Sequence, residues 1–527
     1  MENEFAQQII GGRHMDGQGP ESKGFYSLAG RHPERIAYIE ADGTSTTFGK
    51  LLDEVNRLSN GLRARGLRRG DAVAVLLKNC QAYFELALAT GQLGLYLVPI
   101  NWHLTAEEIA YILRDSDSKM LVASNAFTSG LACAELPAMR FSIDGAEPGW
   151  GGFDELKAGS RVPDQRSAGS WMGYTSGTTG RPKGVKRKLV DKSPEEAIGN
   201  VPDGLDLLGV SHDPGCHLVF SPLYHSAPAA WAMMSLHRGH TVVCRNKFDA
   251  ELALRDIEKY QVSTVHMVPT HFVRLLRLEN REKYDVSSLK CVVHAGAPCP
   301  IDVKFKMMDW FGPKIWEYLG STEAGMYSVV GPQDWLNKPG TVGRAAPGTV
   351  LKIVGEHGEE LPAGEVGMIY SRSGMTDFSY HKDEEKTRST HLADGYATSG
   401  DIGTLDEDGF LFILDRRNDL ILSGGVNIYP AEIEGRLITH GSVKDVAVIG
   451  VSDPEWGQSV LAVIQPADAG ADRAALVQEL RAYAAETLAG YKCPGRYVFL
   501  DELPRTEAGK LQRNVLRDRY NTSKMEI

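Results

Sequence analysis

The sequence predicts an α/β protein: a large N-terminal domain of two α/β sheets with a smaller β lobe, followed by a small α+β C-terminal domain. Three observations carry this. Short apolar runs alternate with helix-length segments twice along the chain, the spacing changes near Gly340 to strands punctuated by Gly and Pro, and after Asp415 apolar strands flank a single long helix. At 527 residues the chain is also too long for one hydrophobic core.

Taken in order, AVAVLL from Ala72 reads as a buried strand, Ala82–Leu93 as a helix, YLVPI as a strand, Ala106–Arg114 as a helix and MLVAS as a strand. This alternation is that of βαβ units around a mostly parallel sheet. It resumes further on, with HLVFS, TVVC, TVHMV, CVVH and IWEY as strands and Ala250–Tyr260 and Pro300–Trp310 as helices. In the last part of the chain, Val446–Val451, Val460–Gln465 and Tyr497–Leu500 read as strands beside a helix at about Asp472–Leu488.

Composition narrows the function. A net charge of −11 argues against a general nucleic-acid binder, which needs a basic footprint. Seven cysteines without a C-x-x-C pair fit free thiols better than disulfides or zinc. No apolar run reaches the length of a transmembrane helix, and the N-terminus lacks the features of a secretion signal, so a cytoplasmic location is expected.

The most informative stretch is YTSGTTGRPKG, Tyr174 to Gly184, which follows the strand-like run WMGYT. Glycines allow backbone N–H groups to approach phosphate oxygens, and Thr175, Ser176, Thr178 and Thr179 add hydroxyl donors around Gly177 and Gly180, with Lys183 at the exit. The plain alternative is a polar surface turn. A Walker loop is excluded, because Gly184 stands where the magnesium-binding hydroxyl belongs. The stretch closely resembles the phosphate loop of the adenylate-forming superfamily: acyl-CoA synthetases, peptide-synthetase adenylation domains and luciferases. The style of the whole chain is most like bacterial fatty-acyl-CoA synthetases.

That resemblance implies ATP, Mg²⁺ and CoA as co-substrates and partners, an N-terminal adenylation domain over 1–417 and a mobile C-terminal lid over 418–527 hinged at Asn418. Four further segments resemble the family's parts. In EYLGSTE, the resemblance gives Glu323 the magnesium ion and Thr322 the α-phosphate, with Tyr318, Leu319, Gly320 and Ser321 beside the nucleotide. The family's adenine-stacking tyrosine corresponds to Leu319 here, and a Thr-Glu pair capping a helix is the plain alternative. GYATSGD gives Asp401, and DRRNDLILSGGVNIYPAEIE gives Arg416, as ribose contacts; Gly424 and Gly425 fall beside the CoA thiol path. In LPRTEAGKLQR, Lys510 matches the lysine that bridges the carboxylate and the α-phosphate.

Two segments bear on the acid. In SPLYHSAP, Ser226 takes the place where amino-acid-activating relatives carry an aspartate, so no counter-charge awaits an ammonium, and His225 matches an aromatic position bordering the carboxylate. In VVHAGAPCP, Ala295, Gly296 and Ala297 are small enough to leave room on both sides for adenine and acyl group. Trp231 and Met267 are candidates for an acyl pocket, although such residues also build ordinary core. The expected activity is AMP-forming ligation of an apolar acid, fatty or alicyclic, to CoA. Aryl acids, carrier-protein loading and a catalytically silent nucleotide binder are the alternatives; a homodimer is compatible with the sequence.

Overall fold

The structure is a computed structural model that describes residues 24–131, 135–175, 182–199, 205, 208, 210, 214–374, 376–416, 419–423, 426–506, 509 and 511–522. It divides into two compact units. The first comprises Met1–His266, Asn280–Val293 and Asp377–Leu392, the second Met267–Glu279, His294–Thr376 and Ala393–Ile527.

The first unit holds both expected α/β sheets. One has six strands in the order Gly151–Gly152, Met139–Ser142, Ser118–Ala123, Ala72–Leu76, Tyr96–Pro99 and Ser170–Trp171, all parallel. Its central strand shows why AVAVL reads as a continuous apolar run. Val73 and Val75 enter one core while Ala72, Ala74 and Leu76 enter another, so both faces are covered. The helix Ala106–Asp115 that precedes Ser118–Ala123 starts at a Thr105/Glu108 capping box, which satisfies two of its first donors. In the second sheet, the strands that lie wholly or mainly in the first unit run in the order Cys291–His294, Thr264–Met267, Cys216–Val219, Thr241–Cys244, Ile36–Ile39 and Ser45–Thr47. The run WMGYT is interrupted at Met172, and its second part, Gly173–Thr175, starts a separate three-stranded sheet with Lys183–Lys186 and Ser379–Tyr380.

The second unit contains the β lobe, four antiparallel strands in the order Val350–Val354, Gly367–Arg372, Asp401–Leu405 and Leu411–Arg416. It also contains the α+β segment. There the long hairpin Val443–Asp453 and Gly457–Pro466 again buries both faces. Val446 and Val448 meet the helices Pro430–Leu437 and Arg473–Ala485, whereas Ala447, Ile449 and Val451 meet Leu516 and Tyr520 of the helix Arg513–Thr522. Six described cysteines are free thiols. Among the described residues no helix is long and apolar enough to cross a membrane.

Candidate active site

In the first unit, Thr175 and Lys183 are register partners on antiparallel strands, so the glycine-rich stretch leaves and returns at neighbouring positions. Ser176, Gly177, Thr178, Thr179 and Gly180 themselves lie outside the described residues. Lys183 Nζ sits 2.6 Å from Asp383 Oδ2, and that hydrogen bond holds the Asp383 carboxyl below the usual carboxylate range. Asp383 also caps the helix Glu384–Thr390 by accepting from Lys386 N–H. One carboxylate therefore ties the exit of the loop to a helix end. Tyr174 adds a second tie, its hydroxyl donating to Asp115 at 2.7 Å.

His225 occupies the N-cap position of the helix Ser226–His237 in extended backbone, without a capping hydrogen bond from its ring, which packs 4.4 Å from the Tyr224 ring. Ser226 opens the helix. The segment before it is fixed by Asn79, which is buried, donates to the carbonyls of Ser221 and Arg245 at 2.9 Å, and accepts from Leu223 N–H at 2.9 Å. Trp231 is buried with its ring parallel to that of His266, 6.3 Å away. Met267 is fully buried at the end of its strand.

In the second unit, Ile315–Ser321 and Gly325–Val330 form an antiparallel hairpin whose turn is Thr322, Glu323 and Ala324. Thr322 and Glu323 thus sit at a strand-to-strand tip, and the helix-cap alternative for this pair falls away. The tip needs glycine at 320, since a Cβ there would lie 2.5 Å from the Gly325 carbonyl oxygen. Ser321 Oγ accepts from Ala324 N–H at 3.0 Å and closes the turn. The register shifts between Leu319 and Gly320, with the extra residue, Tyr327, on the opposite strand. Tyr318 and Leu319 consequently keep opposite faces, and Leu319 packs against the apolar cluster of Ala324, Tyr327, Val342 and Ile353.

Tyr327 has a second role that no local pattern in the sequence announced. Its hydroxyl donates to Asp401 Oδ2 at 2.8 Å, orienting a carboxylate that is 4% exposed. Asp401 is in turn the register partner of Arg416 on the next strand. Ala295 is buried, while Gly296 and Ala297 are exposed just past the strand end at His294.

The same unit holds a buried ionic cluster. Lys304 Nζ donates to Glu317 Oε2 at 2.6 Å, and His294 Nε2 is 3.4 Å from the same oxygen. Burial pushes the Glu317 carboxyl above its ordinary value, with Lys304 opposing the shift. The cluster joins His294, the last residue of the strand before Ala295–Ala297, to the strand that carries Tyr318–Ser321. Asn418, Gly424, Gly425 and Lys510 lie outside the described residues; Asp415 and Asp419, near Asn418, are described. Asp415 accepts from Ala431 N–H at 3.1 Å, and Asp419 is held by Arg513 at 3.2 Å and by Arg517.

Among the described residues no group of three or more His, Cys, Asp or Glu side chains gathers as a metal cage. Glu323, at a turn and partly exposed, offers one hard carboxylate. That suits a magnesium ion, which takes few protein ligands and completes its shell with phosphate and water.

Residues 25–377 match the family described as AMP-binding enzyme, and residues 432–510 match the AMP-binding enzyme C-terminal domain. The chain is 35% identical over 488 residues to a feruloyl-CoA synthase from an Amycolatopsis species, covering 92% of this chain and 95% of the relative. It is 32% identical to the fatty acid–[acyl-carrier-protein] ligase ScoC of Streptomyces coeruleorubidus, covering 94% and 95%. Among solved structures, o-succinylbenzoate CoA synthetase (MenE) from Bacillus subtilis in complex with its acyl-adenylate intermediate superposes with a TM-score of 0.79 at 28% identity, covering 96% of this chain and 99% of that one.

Proposed function

Because the chain belongs to the AMP-binding enzyme family, in which its relatives are acid–thiol ligases, we propose that it activates an apolar carboxylic acid with ATP and transfers the acyl group to CoA. A carboxylate oxygen attacks the α-phosphorus, forming the acyl–O–P bond as pyrophosphate leaves. The CoA thiol, losing its proton, then attacks the acyl carbon, and AMP leaves with the former carboxylate oxygen.

The first step brings two anions together, so the site must supply positive charge and donors where charge develops. The hydroxyls of Thr175, Ser176, Thr178 and Thr179, Lys183, Thr322 and Lys510 take that part. Magnesium, held through Glu323, neutralises phosphate charge when bound. Asp401 and Arg416 hold the ribose; Ala295, Gly296, Ala297, Tyr318 and Leu319 border the base. His225, Ser226, Trp231 and Met267 border the acid, and rotation of residues 418–527 about Asn418 opens a thiol path past Gly424 and Gly425.

The observation that carries this reading is the Asp401–Arg416 register pair, with Tyr327 orienting the aspartate. Two motif residues, from separate segments, that the resemblance assigns to the same ribose are register partners on adjacent strands. For the acid, the absence of a carboxylate at Ser226 supports one without an amino group, and the feruloyl-CoA synthase relative adds aryl acids to the fatty and alicyclic ones. The ScoC relative supports a second reading, transfer to a carrier-protein pantetheine arm.

A panel containing ferulate, 2-succinylbenzoate, indoleacetate, cyclohexanecarboxylate and dodecanoate, scored for ATP-dependent thioester formation with CoA, tests the proposal. Thioester with at least one acid is expected. Adenylate formation with every active acid, but thioester only with a phosphopantetheinylated carrier protein, would transfer the assignment to the second reading.

A further inference from the structure

We infer that Arg505 is a positioning residue for the adenylation step, acting with Asp445 to aim the turn that carries Lys510. The inference rests on the reading above, in which Lys510 serves that step.

The guanidinium is occupied on all three nitrogens. Nε and Nη2 donate to the two oxygens of Asp445 at 2.6 and 2.7 Å, a bidentate pair, and Nη1 donates to the Gly509 carbonyl at 2.8 Å. Both side chains are less than 20% exposed, at 16% and 19%. Arg505 and Leu511 form an antiparallel bridge, and Gly509 N–H donates to Thr506 O at 2.7 Å.

The carbonyl that Arg505 grips belongs to the peptide joining Gly509 to Lys510. That peptide is planar, so fixing its oxygen fixes the plane from which Lys510 departs. A lysine has a long, flexible stem, and the direction of its first bond decides how much conformational freedom remains to be lost when the ammonium meets its anions.

The grip is anchored at both ends. Gly509 has φ +80, and a Cβ there would lie 2.4 Å from Thr270 Oγ1 and 3.0 Å from Val268 Cγ2, so Gly509 is seated against the start of the helix Pro269–Leu276. Just past the other end of that helix, Arg277 donates to the carbonyls of Val443, at 2.7 Å, and Lys444, next to Asp445. Contacts thus close a ring from Thr270 through Arg277, Asp445 and Arg505 back to Gly509, all within the second unit. Because every nitrogen of Arg505 already has a protein partner, the residue acts through the turn and not on the substrate.

The test measures the two half-reactions separately, with ferulate or dodecanoate, whichever turns over faster. Single-turnover acyl-AMP formation and thioester formation from synthetic acyl-AMP and CoA are compared for the wild type, Arg505→Gln, Lys510→Ala and the double variant. Arg505→Gln is expected to slow adenylation by about 10- to 100-fold, the scale of a misplaced catalytic group, while thioester formation changes by less than about twofold. On the Lys510→Ala background the same substitution should cause no further loss, since groups acting as one unit are not additive. Arg505→Lys, which keeps a cation beside Asp445 and protects the fold, should show a smaller loss confined to the same half-reaction. Independent, multiplicative losses in the double variant, or equal losses in both half-reactions for Arg505→Lys, would overturn the positioning role alone. Undiminished adenylation in Lys510→Ala would overturn the reading on which it rests.

Discussion

Asp401 and Arg416 are Cα register partners on adjacent antiparallel strands of the β lobe, and the Asp401 carboxylate is fixed by the hydroxyl of Tyr327 at 2.8 Å. The aspartate follows a turn and the arginine ends a strand, so the pair stands at the margin of the sheet, at the start of Asp401–Leu405 and the end of Leu411–Arg416. In the proposed reading an aspartate and an arginine paired in register supply the acceptor and donors that a pair of sugar hydroxyls needs.

Removing the hydroxyl in Tyr327→Phe leaves a buried carboxylate oxygen one donor short, a cost of about 1–3 kcal/mol. If Asp401 holds the ribose, part of that cost appears in nucleotide binding. The KM for ATP should rise about 5- to 10-fold, with a smaller change in kcat, and Asp401→Asn should raise it further. Steady-state kinetics with ATP varied would contradict this if both variants kept the wild-type KM.

Lys304→Met should destabilise the protein by about 3–5 kcal/mol at neutral pH, because Glu317 then stands buried without its cation. The pH dependence carries a sign. Burial already raises the Glu317 carboxyl above its ordinary value in the folded protein, and loss of Lys304 raises it further. Below the usual glutamate range the acid is protonated in folded and unfolded chains alike, and the ionic part of the deficit vanishes. As pH rises through that range the unfolded chain ionises first, so the variant loses stability by up to about 1.4 kcal/mol per pH unit until the folded pKa is passed. Urea midpoints from pH 4 to 8 measure this, and a deficit that grew towards acid pH would contradict it.

Asn418→Pro fixes one φ near −65°. On either side of position 418, Asp415 accepts from Ala431 N–H and Asp419 accepts from Arg513; the proposed hinge falls between these two residues. Acyl-AMP formation should remain measurable, while thioester formation from acyl-AMP and CoA falls at least about tenfold, or roughly 1.4 kcal/mol of barrier. A variant with both half-reactions intact would move the hinge elsewhere.

The fold was legible where burial is periodic. Val73, Val75 and their neighbours, or Val446 to Val451, alternate between two cores and so read as unbroken apolar strands. The candidate site was legible where one short segment holds several candidate groups, as at Tyr174–Gly184 or Glu317–Glu323. What the sequence did not announce are partners brought in from afar: Asp383 for Lys183, Asn79 for the Ser221–His225 segment, Asp445 for Arg505. Each is a single polar residue whose pairing is set by strand order or helix packing, and no local spacing records it. Leu319 is a different case. Its apolar neighbours across the hairpin and in the β lobe show what the residue packs against, which the segment EYLGSTE alone leaves open.

The central claim is attack by a carboxylate oxygen on the α-phosphorus of ATP, and isotope transfer tests it most directly. An acid from the active panel, labelled with ¹⁸O in both carboxylate oxygens, is turned over with ATP and CoA, and the nucleotide product is analysed by mass spectrometry. The account predicts AMP carrying one ¹⁸O, with unlabelled pyrophosphate. ADP with the label in inorganic phosphate would place the attack on the γ-phosphorus and contradict it.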